Sequence, residues 1–372
     1  MLGDFFEPMT GDYGAAMLGF LALLGACVGS FLNVVVYRLP RGLSVQKPPR
    51  SFCPACGAAI PWQLNLPIIS WLWLRGKSAC CRKRIPVRYW VVEVACAGLF
   101  ALIGWEFQYE SIATLLWLCL WAAGLLALLA MDWEEMVVHP RVAVITACFG
   151  MAAALIDPTL VEPTATTPTK GAMWSLIGAG GGYLLFRLVA LVGRLLFGWR
   201  SRRFSKDEAW LLRQEGEDIV LTVAGKDYRW SETLPESGCS VTLQEAVAEA
   251  FAAEAPRGRI TLTEDALLLP NGERRELEDY ESLGGACRGV TIHREAMGSG
   301  DAWLAMAIGA LCGWQGALFA LVGGSFIGLG YAALMRVRRG TPMPFGPALI
   351  LAAYVWLFWG PQLLALYAES LL

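Results

Sequence analysis

Apolar and polar positions divide the chain into long apolar runs, a basic loop and one charged interval. Runs of about 17 to 25 apolar residues can cross a bilayer as helices. They lie near 14–37, 89–106, 112–131, 141–157, 171–197, 301–312, 316–335 and 347–368, which predicts about eight spans. The sixth is short and stops at Gly313–Trp314–Gln315. The first follows the acidic residues Asp4, Glu7 and Asp12, with no basic n-region and no small-residue cleavage site, so it reads as a retained span.

Between 198 and 297 the pattern changes. Alternation in Asp218–Trp230 and Arg259–Leu269 predicts strands, the Ala/Glu-rich stretch 243–254 predicts a helix, and Asn271–Gly272 predicts a turn. With 13 Lys+Arg and 19 Asp+Glu, this interval reads as a separate α+β insert with a small core. The domains expected are a first transmembrane helix at 1–37, a loop at 38–88, helices 2–5 at 89–197, the insert at 198–297 and helices 6–8 at 298–372. The fold class expected is an all-α polytopic membrane protein carrying a cytoplasmic cysteine loop and a small α+β cytoplasmic insert.

Charge orients this arrangement. Arg38 to Arg88 contains ten basic residues and no acidic one, which places the loop in the cytoplasm and the N-terminus outside. Counting onward, the acidic connections at 107–111 and 158–170 fall outside, while Arg336, Arg338 and Arg339 fall inside. Composition agrees: 56 % hydrophobic and 17 % charged residues, with a mean hydropathy of +0.49, are too apolar for an ordinary soluble domain. The net charge of −2 provides no basic field for nucleic acid.

Ionisable groups at the edge of hydrocarbon are costly, so each is a functional candidate. Asp132 ends the apolar run Leu115–Met131, and Asp301 follows Met297-Gly298-Ser299-Gly300 at the start of the sixth span; both fall at the cytoplasmic end. Two such carboxylates can share one proton and hydrolyse an amide, one taking a proton from water while the other polarises the carbonyl. The ordinary readings are a helix N-cap for Asp301 and an interfacial carboxylate for Asp132, with Glu134 and Glu135 as its kin. Gly298 and Gly300, lacking Cβ, would let backbone approach a substrate closely.

Of eleven cysteines, Cys27, Cys96, Cys119, Cys148 and Cys312 sit in apolar runs as small hydrophobes. Cys53-Pro-Ala-Cys56 and the pair Cys80-Cys81 instead suggest a structural Zn²⁺ site in a reducing compartment. The second half is irregular, because adjacent cysteines cannot both ligate in CxxC geometry without rearrangement. Reduced thiols without metal are the alternative. His139, beside Pro140, reads as a loop residue, and neither it nor His293 has metal-ligand spacing.

The order of these motifs resembles the type IV prepilin peptidases, membrane aspartic proteases that mature pilins and pseudopilins. Gly29-Ser-Phe-Leu-Asn-Val-Val-Val-Tyr-Arg-Leu-Pro40 is similar to the family's N-terminal signature. Cys53–Cys56 followed by Asn65-Leu-Pro67-Ile-Ile-Ser70-Trp71, Arg75-Gly76-Lys77 and Arg84-Ile85 is similar to its cysteine loop. Gly178–Tyr183, Gly298-Ser-Gly-Asp301, Gly309-Ala-Leu-Cys-Gly-Trp314 and Pro344-Phe-Gly-Pro347 are similar to its C-terminal half.

The resemblance implies that Asp132 and Asp301 are the catalytic pair. Cleavage would follow a glycine that ends a short basic leader, at the cytoplasmic face of the bacterial inner membrane. The cut itself calls for no cofactor. Many members also methylate the new N-terminus with S-adenosylmethionine. The partners implied are prepilins or pseudopilins and membrane lipid, with pilus or type II secretion machinery as a partner for the insert. Three features depart from the family pattern: Ser78 at the third cysteine position, with Cys80 as its candidate replacement; Pro140 one residue later than usual after Asp132; and the insert itself. The rival readings are a presenilin-type GxGD protease, which lacks a cysteine loop, and a proton-coupled transporter or assembly scaffold, which would show repeated broken helices.

Overall fold

The computed structural model describes residues 14–48, 50–108, 110–197, 199–215, 218–230, 240–251, 256–263, 266–277, 280–293, 298–336 and 343–370. Asp4, Glu7, Asp12, Arg338 and Arg339 lie outside them. The apolar runs form helices: α1 (Gly14–Arg38), α3 (Val87–Glu106), α4 (Ile112–Glu135), α5 (Pro140–Ile156), α6 (Pro168–Phe197), α7 (Ser299–Leu334) and α8 (Gly346–Ser370). A short α2 (Ile69–Trp73) lies in the basic loop.

Six helices among the described residues are long and apolar enough to cross a membrane, and the 17-residue α5 is a shorter apolar one. The expected sixth and seventh spans both fall within α7, which is broken at Gly313 (φ 67°, ψ −175°). Only glycine reaches that backbone state without strain. The chain is a multi-pass membrane protein, built from helices too apolar for water.

The chain forms two compact units. The first contains the helices up to Phe186, Gly300–Met335 and the chain from Pro344 onward; the second contains Arg187–Ser299. In the first, α4 is the central helix, with Trp121, Leu125 and Leu128 fully buried. Trp121 Nε1 donates to the Ala307 carbonyl of α7 at 2.9 Å, and the Tyr354 hydroxyl of α8 donates to the Ala122 carbonyl at 2.7 Å. Ser175 of α6 donates to the Ala310 carbonyl at 2.6 Å. Beside it α6 and α7 cross backbone to backbone, because a Cβ on Gly178 or on Gly309 would collide with the other's carbonyl oxygen. Small residues permit such approach, and buried hydrogen bonds then add to it in lipid.

The second unit holds an eight-stranded antiparallel sheet in the order β3-β2-β1-β8-β4-β5-β6-β7. The strands are β1 (Trp199–Glu215), β2 (Asp218–Val223), β3 (Lys226–Arg229), β4 (Ser240–Ala248), β5 (Gly258–Leu262), β6 (Ala266–Leu268), β7 (Arg274–Glu276) and β8 (Ser282–His293). This corrects the α+β expectation. The stretch expected to be helical from 243 runs instead as β4, followed by a 3₁₀ turn at Glu249–Phe251; 252–254 lie outside the described residues. Val241 and Leu243, then Ala246 and Ala248 after a register shift, are buried against β5 and β8, so pairing overrides helix propensity. The turn expected at Asn271–Gly272 joins β6 to β7, with Gly272 at φ 86°. Trp210, Leu221, Leu243, Leu262 and Val290 centre the sheet's own core.

Candidate active site and cysteine cluster

Asp132 occupies the last turn of α4 and is only 6 % exposed. The helix ends at Met136, in left-handed conformation (φ 51°), whose N–H returns to the Asp132 carbonyl at 3.0 Å. Extended His139 then precedes Pro140, the first residue of α5, as expected before proline. Glu134 and Glu135 do not share Asp132's environment: Glu134 pairs with Arg88, and Glu135 pairs with Arg41 at 2.5 Å. Of the three acids at this helix end, only Asp132 is buried.

The side chain of Asp132 is held from the far end of the chain. Gly346, the first residue of α8, donates its backbone N–H to Asp132 Oδ2 at 2.9 Å. A Cβ at Gly346 would sit 2.6 Å from that same oxygen, so glycine is required for the carboxylate to reach the helix N-terminus. An N-terminal backbone donor suits a carboxylate both as hydrogen bond and through the helix dipole. Sequence reading missed this role of Gly346; the signal was the Gly-Pro pair that opens α8.

Asp301 is 9 % exposed and lies within the first turn of α7, which begins at Ser299, so it stands inside the helix rather than at its cap. Gly300 explains the close packing beside it. A Cβ there would meet Val138 Cβ at 2.9 Å, in the segment leaving α4. The glycine before Asp301 therefore seats the start of α7 against the chain just beyond Asp132. Gly298 precedes that helix in irregular backbone.

His139 makes no cap bond to α5. Among the described residues its Nδ1 is buried without a partner, and burial, then Arg141, push its pKa down. His293 is buried on β8, where its Nε2 accepts from Arg194 Nε at 3.1 Å.

The four thiols expected to form a metal site come together. The sulfurs of Cys53, Cys56, Cys80 and Cys81 all lie within 4.8 Å of one another. Cys53 and Cys81 are 3.8 Å apart, and Cys56 and Cys80 3.3 Å apart. Two similar backbone knuckles build the cluster. In the first, Cys53 N–H donates to the Ala58 carbonyl and Gly57 N–H to that of Cys53; in the second, Ser78 N–H donates to the Lys83 carbonyl and Arg82 N–H to that of Ser78. Ser78 thus occupies the place in its knuckle that Cys53 occupies in the other. Gly57 and Arg82 both adopt positive φ (73° and 58°) to close them.

Adjacent Cys80 and Cys81 both reach the centre, and the Ser78 hydroxyl lies 3.0 Å from Cys81 Sγ. That hydroxyl lowers the Cys81 thiol to about 6. At Cys53 burial opposes ionisation, but backbone N–H groups of Ala55 and Cys56 outweigh it and pull the thiol below its ordinary value. Thiolate character is what a metal ion requires of its ligands; Cys81 and Cys53 have it, whereas Cys56, although the Ala58 backbone pulls it down, is pushed up to about 12 chiefly by the neighbouring thiol of Cys80.

The chain matches known proteins at both ends. The Bacterial Peptidase A24 N-terminal domain matches residues 23–107, and the Type IV leader peptidase family matches residues 277–333. A prepilin leader peptidase/N-methyltransferase of Myxococcus xanthus is 35 % identical over 195 residues, 51 % of this chain and 53 % of that protein. Proteins of the same name from Stutzerimonas stutzeri and Pseudomonas aeruginosa are each 26 % identical, over 93 % of this chain and 92 % of theirs. The chain thus spans about half of the first relative and nearly all of the other two. No solved structure matches it.

Proposed function

Because the chain belongs to the type IV leader peptidase family, we propose that it is an aspartic endopeptidase that removes the short basic leader of a prepilin or pseudopilin after a glycine. The observation that carries this reading is the pair of buried carboxylates, Asp132 and Asp301, each at the end of an apolar helix, Asp132 held by Gly346 and Asp301 following Gly300, which packs on Val138. In the proposed reaction the two share one proton. The ionised carboxylate takes a proton from water, and the oxygen of that water adds to the scissile carbonyl. The protonated carboxylate polarises that carbonyl and stabilises the oxyanion, after which the leaving amine is protonated and the C–N bond breaks. Gly346 N–H fixes the orientation of Asp132 during these steps.

The charge pattern supports an inner-membrane setting with about eight spans, the N-terminus outside and both aspartates at the cytoplasmic face. A substrate whose basic leader stays in the cytoplasm while its apolar helix lies in the bilayer would present its junction at that depth. Cys53, Cys56, Cys80 and Cys81 would hold a structural Zn²⁺, since tetrahedral coordination at about 2.3 Å per sulfur needs sulfurs roughly 4 Å apart. The relatives' names include N-methyltransferase, which supports a second activity here, methylation of the new N-terminus with S-adenosylmethionine as the family resemblance implies. The sheet unit would serve as a docking module for pilus or secretion machinery.

The test uses purified wild type and Asp301→Asn with one prepilin, reading the product N-terminus by mass spectrometry with and without S-adenosylmethionine. Wild type should release the leader and Asp301→Asn should not. An intact leader after incubation with wild type across several prepilins would overturn the reading.

A further inference from the structure

The second unit includes the last three turns of α6, from Arg187 to Phe197, together with the sheet. At about 1.5 Å per residue the 30-residue α6 is about 45 Å long, against about 30 Å of hydrocarbon, so its last third passes through the headgroup layer. Leu191, Leu195 and Leu196 are exposed on those turns, an apolar surface that suits lipid rather than water. Arg194 Nε donates to His293 Nε2 at 3.1 Å, which fastens this end of the helix to the last residue of β8. β1 starts two residues after α6 ends, and Trp199 pairs with His293. The end of the sheet that holds this pair therefore emerges at the bilayer surface.

That end carries charge of one sign. From Arg187 to Lys206 the chain holds six basic residues, Arg187, Arg194, Arg200, Arg202, Arg203 and Lys206, and no acidic one. The strand ends beside it, 289–293 of β8 and 240–243 of β4, contain no carboxylate. Arg202, Arg203 and Lys206 are exposed. The first acid along β1, Asp207, is already held by Arg257 and Arg288. At the opposite end of β1 the charges are matched, with Arg213 2.9 Å and Arg229 3.6 Å from Glu215. Strand residues rise about 3.3 Å each, so Arg200, Arg202 and Arg203 stand within roughly 10 Å of the start of β1, about one Debye length. Successive strand residues face opposite sides, so Arg202 and Arg203 carry this charge to both faces of the sheet.

We propose that this basic collar binds the phosphates of anionic phospholipids in the leaflet from which the sheet emerges, and so holds the membrane end of the sheet on the bilayer. The apolar helix end continuous with β1 puts the collar at headgroup depth, which selects a lipid surface over a soluble polyanion. Arginine suits the role, because its guanidinium takes two phosphate oxygens at once. None of these residues belongs to the Asp132 site, so lipid binding here stands apart from the peptidase reading.

The test is hydrogen exchange of the full chain, at one pH, in nanodiscs holding one copy each and made of phosphatidylcholine alone or mixed with phosphatidylglycerol. The amides of 199–203 and 289–293 should exchange at least about fivefold more slowly in the anionic discs, the contribution of one basic residue at such a surface. Salt at about 1 M, where the Debye length is about 3 Å, should remove that gain. Arg202→Gln with Arg203→Gln should abolish most of it, whereas Arg213→Gln with Arg229→Gln, the same loss of charge at the opposite end, should leave it in place. Exchange in β5 reports whether each variant keeps its fold. Equal exchange in the two kinds of disc would overturn the assignment. So would a gain that survives Arg202→Gln with Arg203→Gln, or one that Arg213→Gln with Arg229→Gln removes as fully, which would make it an effect of net charge alone.

Discussion

At the scale of single residues, a few atoms govern the chemistry. Asp132 accepts from the Gly346 backbone, and a Cβ at Gly346 would displace that carboxylate. Gly346→Ala should therefore lower leader cleavage at least about tenfold, corresponding to some 1.4 kcal/mol, while the protein still inserts; single-turnover cleavage and membrane fractionation check this. In the cysteine cluster, Ser78 stands where a thiol would complete the symmetry and Cys80 supplies it from the next position but one. Cys80→Ala should lose bound zinc, and Ser78→Cys on that background should restore about one Zn²⁺ per chain, as metal analysis of the purified proteins would read. That repair is specific to the two-knuckle geometry, since a loosely held group of thiols would not recover by moving one of them. The residues of the cluster were legible from one CxxC and the adjacent pair Cys80-Cys81. The way Cys80 fits was not, because it depends on Arg82 adopting positive φ, a conformation glycine announces and arginine does not.

At the scale of elements, the apolar helices were legible because a bilayer demands some 20 apolar residues in a row, and the break at Gly313 was marked by Gly-Trp-Gln. The stretch from 243 was misread because alanine and glutamate favour helices locally, whereas the burial of Val241, Leu243, Ala246 and Ala248 is a property of the whole sheet. The crossing of α6 and α7 at Gly178 and Gly309 has no slack, and Gly309→Val should destabilise the protein by about 1–3 kcal/mol or more, read as a lower midpoint of thermal unfolding in detergent. In the sheet, Asp207 lies in the irregular part of β1 and joins Arg288 of β8 at 2.8 Å and Arg257 beside β5 at 2.5 Å. Those hydrogen bonds, from Arg257 first, hold its carboxyl at about 2. A value below the ordinary one means that the stabilising contribution is complete above about pH 4 and is lost as pH falls through about 2. Protection of the β1 amides, taken relative to their intrinsic exchange rate at each pH, should therefore fall over that interval in wild type, and Asp207→Asn should weaken that fall.

At the scale of the whole molecule, the proposed orientation puts the basic loop and the 107–111 connection on opposite sides of the membrane. Cysteines introduced at Lys77 and at Glu110 should label from opposite faces of sealed vesicles, Lys77→Cys from the cytoplasmic side; labelling from one face would reverse or discard the topology. Both aspartates belong to the first compact unit, although the sheet unit lies between them in sequence, so the helices around them must be assembled across a long interruption. The contact between Asp132 and Gly346 spans 214 positions. During synthesis α4 is made before α8, and the donor that orients its aspartate belongs to the later helix. A ribosome-bound chain carrying Asp132 but not yet α8 therefore lacks the donor that orients its carboxylate, so under the proposed reading leader cleavage waits for the synthesis of α8.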